Sequence, residues 1–421
     1  MTSHPVLLDI SRLLSRAGSA VPTGIDRVEL EYALYLSRCF PARVTFVAYH
    51  PLGRIGILPR RLTDCFLRML ARAWTKGRRP WRGASLMAGV LLQAAAIGAV
   101  GNNVQRRLYL LLSHHHLMQR DAIAGFLGRA NAGLAVMVHD LIPIEYPEYA
   151  RPSEPDRHRR RMDTVGQLAD AVIVPSQDVA KSLRHYLAPG GRCPPIGVVH
   201  HGCHVSPATM VPVSGLAPDA PYFVVLGTIE PRKNHLLLLN IWRHMAAGRD
   251  RTRLPHLVVI GRRGWENENI IDMLERCPTL QGIVHEHATL SDVVVADLVR
   301  GARALLFPSF AEGFGLPLLE ALSMGIPCLC SDLPVFREIA GDLPGYLDPL
   351  DGPAWQRKIL ELAEQDARGA GEAPPTFADW PTQAAAGLAM IDGAGRADAG
   401  SWDARAGGAV RLMDMEAGTV C

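Results

Sequence analysis

The stretch Phe307–Glu320, FPSFAEGFGLPLLE, sets two carboxylates, Glu312 and Glu320, around a glycine-rich turn with seven residues between them. An apolar run ends at Phe307, and a helix starts near Leu316. The backbone N–H groups of Gly313, Phe314, Gly315 and Leu316 then point out of a helix start, where aligned peptide dipoles favour negative charge. A diphosphate suits that geometry, and glycine lets its oxygens come close to the backbone. The two glutamates can accept hydrogen bonds from two separate sets of hydroxyls on one ligand. The same spacing also fits a solvent-facing pair beside a tight strand–helix turn.

A second cluster, Gly227–Asn234 (GTIEPRKN), follows the apolar run YFVVLGT, so Arg232 and Lys233 fall at the C-terminal tip of a strand. Fixed cations there stabilise a leaving group that gains negative charge as its bond breaks. Cations at a helix start oppose the helix dipole, which implies an anionic partner. The plainer reading is a pair of solvated side chains. His139-Asp140 end the run LAVMVHD, and Pro175-Ser176 end DAVIVPS. Gly24 lies in the turn PTGIDR, either a close-approach position for a ligand or an ordinary helix-leading turn.

Holding these groups together takes parallel strands. Continuous apolar runs recur at 134–140, 170–176, 196–202, 222–228, 256–261, 302–309 and 326–332. Such runs mark strands buried on both faces. Asn234–Ala247 and Leu318–Met324 read as helices, and Val28, Tyr32, Tyr35 and Leu36 recur at helical spacing. The expected fold is α/β: two doubly wound, Rossmann-like domains facing across a cleft at their C-terminal strand ends. Segment 204–221, rich in Pro, Ser and Ala, divides a domain at 1–205 from one at 216–375. Residues 376–392 read as a closing helix, and 393–421, rich in Gly and Ala, as a loose tail.

Together, GTIEPRKN, IGRRGW and FPSFAEGFGLPLLEALSMGIPCLCSDLPVFREIAGD resemble the family 4 retaining glycosyltransferases of the GT-B fold. The resemblance is specific over Tyr222–Pro349 and looser over Val136–Gly202. It implies that Glu312 contacts the transferred sugar, that Glu320 contacts the ribose of a nucleotide, and that Lys233 binds the diphosphate. Many members carry an arginine directly after the strand glycine. Here Thr228 stands after Gly227, and Arg232 is expected to supply the charge. PTGIDR resembles the glycine loop that approaches the donor phosphate from the opposite domain. His139 matches a strand-end histidine beside the reacting sugar.

What the resemblance implies is therefore a catalytic pair, His139 and Glu312, and a donor site of Gly24, Gly227, Arg232, Lys233, Gly313, Phe314, Gly315, Leu316 and Glu320. The substrate is a GDP- or UDP-linked sugar, with no cofactor and no metal. A hexose, mannose as first choice, goes to a glycan or lipid-linked acceptor in exopolysaccharide or lipopolysaccharide assembly. A sugar-nucleotide epimerase on a related fold and a catalytically silent scaffold stay open.

Composition narrows the partners. A net charge of +3 over 421 residues leaves no nucleic-acid footprint. Over 54–107, however, eleven Lys or Arg side chains face only Asp64. That stretch suits an anionic membrane surface, a phosphorylated acceptor or a plain solvated surface. The run Leu86–Val100 is too short to span a bilayer and reads as a core or interfacial helix. Arg157–Arg161 (RHRRR) reads as a solvated helix face or an acceptor-phosphate site. His114-His115-His116 and His285-Glu286-His287 lack the i, i+4 spacing of a helical zinc pair. Cys328 and Cys330 point to one face of a core strand. The eight cysteines show no disulfide spacing, and MTSHPVLLDISRLL lacks a signal-peptide pattern. The expected location is the cytoplasm, at the inner face of the membrane.

Overall fold

The computed structural model describes residues 4–76, 82–101, 105–204, 220–248, 250–365 and 373–394. The first sheet holds β1 (Val6–Asp9), β2 (Val44–His50), β3 (Arg54–Ile57), β4 (Arg107–Leu111), β5 (Ala132–Met137), β6 (Ala169–Val174) and β7 (Ile196–Val198). Their order is β3-β2-β1-β4-β5-β6-β7, parallel except for β3 against β2. The second holds β8 (Tyr222–Leu226), β9 (His256–Ile260), β10 (Val284–His287), β11 (Ala304–Phe307), β12 (Cys328–Ser331) and β13 (Gly345–Leu347). Its order is β10-β9-β8-β11-β12-β13, all parallel.

Helices cover both faces of each sheet, so every second residue along a strand enters a different core. Val6 and Leu8 join one cluster of buried side chains, and Leu7 joins the other. Val224 separates likewise from Phe223 and Val225. This double burial is why the strands read as unbroken apolar runs. The strand order reverses between β1 and β4 and between β8 and β11, which places a crevice at the C-terminal ends there.

All seven expected runs became strands, β5 to β9, β11 and β12. The pattern missed β1 to β4, β10 and β13. β10, VHEH, is an edge strand of half-buried residues, three of its four polar, and it contains the His285-Glu286-His287 cluster. Cys328 and Cys330 enter the same core, as expected. RHRRR lies in the helix Glu154–Leu168. Arg157 and Arg159 pair with Glu154 and Asp156 on that helix, while His158 turns into the protein.

The helix Arg82–Ile97 buries Ala84, Ala88, Leu91 and Ala95 and exposes Leu86, Val90 and Ile97. No helix among the described residues is long and apolar enough to cross a membrane. The helix Trp380–Ala394 crosses back from the second sheet to the first. Its Trp380, Ala384, Leu388 and Ile391 join Val6 and Leu8 in one core, and Arg43 pairs with Asp392 at 2.5 Å. Residues 205–219 of the dividing segment, and 395–421 of the tail, lie outside the described residues.

Candidate active site between the two sheets

At the tip of β8 the chain turns through Pro231–Lys233, and both cations enter one buried network. Lys233 Nζ lies 2.5 Å from Glu312 Oε1. The Arg232 guanidinium reaches Glu312 Oε2 at 2.7 Å, Glu230 Oε1 at 2.7 Å and the Ala311 carbonyl at 2.8 Å. Burial opposes ionisation of Glu312, but Arg232 and Lys233 together hold its carboxyl down at about 2. Burial also pulls the Lys233 ammonium down, and Glu312 resists that. Two acids thus neutralise two bases. Charge brought into the site by a ligand meets cations already held in place, without long side chains to reorganise.

Gly227 lets this happen. Its φ is +150°, and a Cβ there would sit 3.3 Å from Lys233 Cε, so the lysine stem lies over a bare backbone. From β11 the chain runs through Glu312 to Gly315, which precedes the helix Leu316–Ser323. The N–H groups of Gly313, Phe314, Gly315 and Leu316 donate to no acceptor among the described residues. Facing them is the start of the helix Gly24–Cys39, capped by Thr23 and Asp26. A Cβ on Gly24 would meet Leu316 Cδ1 at 3.9 Å, so two helix starts oppose each other across the cleft. Both direct positive dipole ends into one space. No protein atom crowds Gly24 enough to demand glycine.

From the first sheet, His139 arrives at the end of β5 and is 6% exposed. Its Nε2 lies 2.8 Å from the Leu112 carbonyl. A carbonyl only accepts, so Nε2 carries the proton and Nδ1 keeps a lone pair. Burial lowers the imidazole to about 4, so the ring is neutral. The Ser176 hydroxyl donates to the Gly313 carbonyl at 3.1 Å. Phe314 packs edge-on against His201 rather than facing the open cleft.

Glu320 sits one turn inside its helix. Burial raises its carboxyl to about 7, against a downward pull from Arg27. Arg27, one turn inside the facing helix, grips Asp292 with two hydrogen bonds of 3.0 and 3.1 Å. Glu338 makes a second bridge across the cleft. It accepts from Gln177 N and lies 3.0 Å from His200 Nε2.

The structure therefore gathers Arg232, Lys233, Glu312 and the 313–316 turn against His139, with Gly24 and Glu320 along the same cleft. Sequence reasoning missed Glu230, Asp292, Glu338 and His200. Arg27 was visible only as part of PTGIDR. Nothing local signals a partner 265 residues away. Among the described residues, no three His, Cys, Asp or Glu side chains gather in a metal-holding group.

Known proteins bear on this arrangement. Residues 209–366 match the family of glycosyl transferases group 1. The serotype-specific mannosyltransferase WbdA of Escherichia coli is 31% identical over 268 residues, which are 58% of this chain and 32% of that protein. The O-antigen chain mannosyltransferase B of Escherichia coli is 37% identical over 146 residues, 35% of this chain and 38% of that one. The matches thus span about a third of those relatives' length. Sucrose-phosphate synthase from Thermosynechococcus elongatus superposes with a TM-score of 0.56 at 15% identity, covering 93% of this chain and 97% of the other. Anabaena HepE, solved with UDP-glucose, gives 0.55 at 13% identity, with 91% and 94% covered. At such identities the likeness is one of fold. Two Rossmann-like sheets facing across a cleft give the chain the GT-B fold, and residues 209–366, over the second sheet, are similar to the glycosyl transferases group 1.

Proposed function

We propose that this protein is a retaining glycosyltransferase that moves a hexose, mannose by the names of its relatives, from a GDP- or UDP-linked sugar to a glycan or lipid-linked acceptor in polysaccharide biosynthesis. The observation that carries the reading is the Arg232–Lys233–Glu312 network set between two opposed helix starts. Residues 216–375 act as the donor domain and 1–205 as the acceptor domain. Lys233, Arg232, the amides of 313–316 and the start of the Gly24 helix hold the diphosphate. Glu312 meets the sugar hydroxyls, and Glu320 the ribose.

As the bond between the anomeric carbon and the diphosphate oxygen breaks, its electron pair stays on that oxygen. The cations and dipoles then stabilise the departing group more than the bound donor. The acceptor oxygen bonds to the same face of the anomeric carbon, and its proton passes to the departing phosphate oxygen. His139 Nδ1, a fixed neutral acceptor, orients a sugar hydroxyl. The clenched cleft keeps out water that would hydrolyse the donor. No cofactor takes part.

The reading includes contact with the inner membrane face. Leu52, Leu62, Leu86, Val90 and Ile97 are five of the nine exposed large hydrophobic residues among the described residues. Arg54, Arg61, Arg68 and Arg72, exposed in the same region, form no ion pair among the described residues. Apolar side chains beside unpaired cations suit an anionic bilayer.

A thermal-shift screen against GDP-mannose, UDP-glucose and related donors tests the core of the proposal. A selective shift, followed by transfer with the anomeric configuration kept, is expected. A chain that none of these donors stabilises would falsify it. Sedimentation with phosphatidylglycerol vesicles that weakens as salt rises is the expected result for the membrane face.

A further inference from the structure

Beside Glu312 the cleft widens into a cavity of about 160 Å³ that shares Glu312, but none of the other donor contacts above, with the donor site. Both halves of the chain build it. Asp140, Glu145, Tyr146 and Asp178 come from the first, and Phe310 and Glu312 from the second. No lysine or arginine lines it. The Glu145 and Asp178 carboxylates make no hydrogen bond or ion pair among the described residues, and Asp140 spends one oxygen on Ile142 N. Three aromatic rings stack in a row along this side. Tyr146 and Tyr149 lie 6.1 Å apart and tilt by 24°, and Tyr149 and Phe310 lie 5.6 Å apart at 8°. The row runs from the first half of the chain into the second, and Tyr146 is 40% exposed.

These walls select a ligand by elimination. Asp140, Glu145 and Asp178, beside a Glu312 already matched by Arg232 and Lys233, repel phosphate and carboxylate groups. A purely apolar ligand would strip water from Glu145 and Asp178 without replacing its hydrogen bonds, which is costly. A pyranose meets both demands. Its hydroxyls donate to carboxylates, and the C–H face of its ring packs on an aromatic surface, as apolar faces do on tyrosine. The cavity adjoins Glu312, so a sugar held in it lies next to the sugar to be transferred. The donor needs the cationic side of Glu312, and this side is acidic, so the two ligands do not compete for one surface.

We propose that the cavity is the acceptor subsite and takes the uncharged terminal sugar of a glycan, with any phosphate of a carrier lying outside it. The proposal rests on the glycosyltransferase reading for the word acceptor, but the binding itself does not. It makes Glu145, Asp178 and Tyr146 specificity-determining residues for the acceptor, apart from the donor.

The test uses the full chain with GDP or UDP bound and follows uncharged disaccharides (mannobiose, maltose, cellobiose) by ligand-observed NMR. Binding of at least one is expected, with no binding of mannose 6-phosphate, and with spermidine, drawn by charge alone, held more weakly than the sugar. Glu145→Gln combined with Asp178→Asn, and separately Tyr146→Ala, should each weaken that binding about tenfold. The thermal shift given by the nucleotide should stay as in the wild type, which also reports that the variants are folded. Three results overturn the subsite: no disaccharide bound by the wild type, variants that bind as the wild type does, or preference for the phosphorylated or cationic probe. A protein that binds disaccharide yet transfers from no nucleotide sugar sinks the proposed enzyme and leaves the subsite standing.

Discussion

Gly313 rests against the main chain of His139 so closely that a Cβ on the glycine would lie 2.3 Å from the histidine carbonyl oxygen and 3.0 Å from Asp140 Cβ. Neither neighbour is a flexible side-chain end. Gly313→Ala must therefore push the two halves of the chain apart. The expected outcome is a larger radius of gyration by small-angle scattering and a raised KM for the donor. The variant's separate domains should stay folded. An alanine variant with wild-type dimensions and kinetics would show that the contact is not part of the working closed form.

Lys233 pairs at 2.5 Å with Glu312, the glutamate proposed to contact the sugar. Lys233→Ala removes charge from the leaving-group site and leaves Glu312 with Arg232 alone. Loss of one such preorganised group costs about 100- to 1,000-fold in kcat. Chromatography of released nucleotide measures it. Activity within a factor of three of the wild type would remove Lys233 from the mechanism.

Arg27 and Asp292 form a two-pronged pair between the halves, with side chains 24% and 19% exposed. Partial exposure screens the attraction, so a double-mutant cycle with Arg27→Ala and Asp292→Ala should give about 1 kcal/mol of coupling in thermal unfolding. Donor affinity should fall in both single variants, because the pair holds the cleft shut beside Glu320. Additive effects in the cycle would mean that the contact contributes no stability.

Glu320 carries a pH signature. Its carboxyl is raised from 4.5 to about 7, chiefly by burial. In the proposed contact with ribose hydroxyls the ionised form is the acceptor, so nucleotide affinity should rise between about pH 6 and pH 8. For stability the direction is opposite. The folded chain keeps this proton up to about 7, whereas the unfolded chain releases it near 4.5. The contribution is complete at low pH and is lost as pH climbs through about 7. Glu320→Gln should flatten both profiles. Titration calorimetry across that range, showing the same affinity curve in wild type and variant, would assign the dependence elsewhere.

How much of this was visible in the chain follows from what each feature depends on. Strands buried on both faces declare themselves, which is why YFVVLGT and ARALLFPS were legible. β10 is polar and β13 has three residues, so neither gives an apolar run. The proposed donor turn was legible because it is local: Glu312, the glycines and Glu320 sit on one strand–turn–helix. What could not be read is everything made by distant segments meeting. Glu338 touches His200 and Gln177 from more than a hundred residues away. Asp178 and Glu145 look like ordinary acids in helix ends until Phe310 is set beside them. The mutual quenching of Lys233, Arg232 and Glu312 was likewise hidden, since the motif shows the charges but not that they close on each other.

The crossing back of Trp380–Ala394 has a consequence for how the protein is made. The half that is made earlier lacks Trp380, Ala384, Leu388 and Ile391 of its own interior until the later-made half has emerged. The second half carries no such debt and can mature while the first waits with an open flank. Synthesis order and completion order are thus reversed, and an early stop codon before Trp380 would spare the later-made half and leave the earlier-made one unfinished.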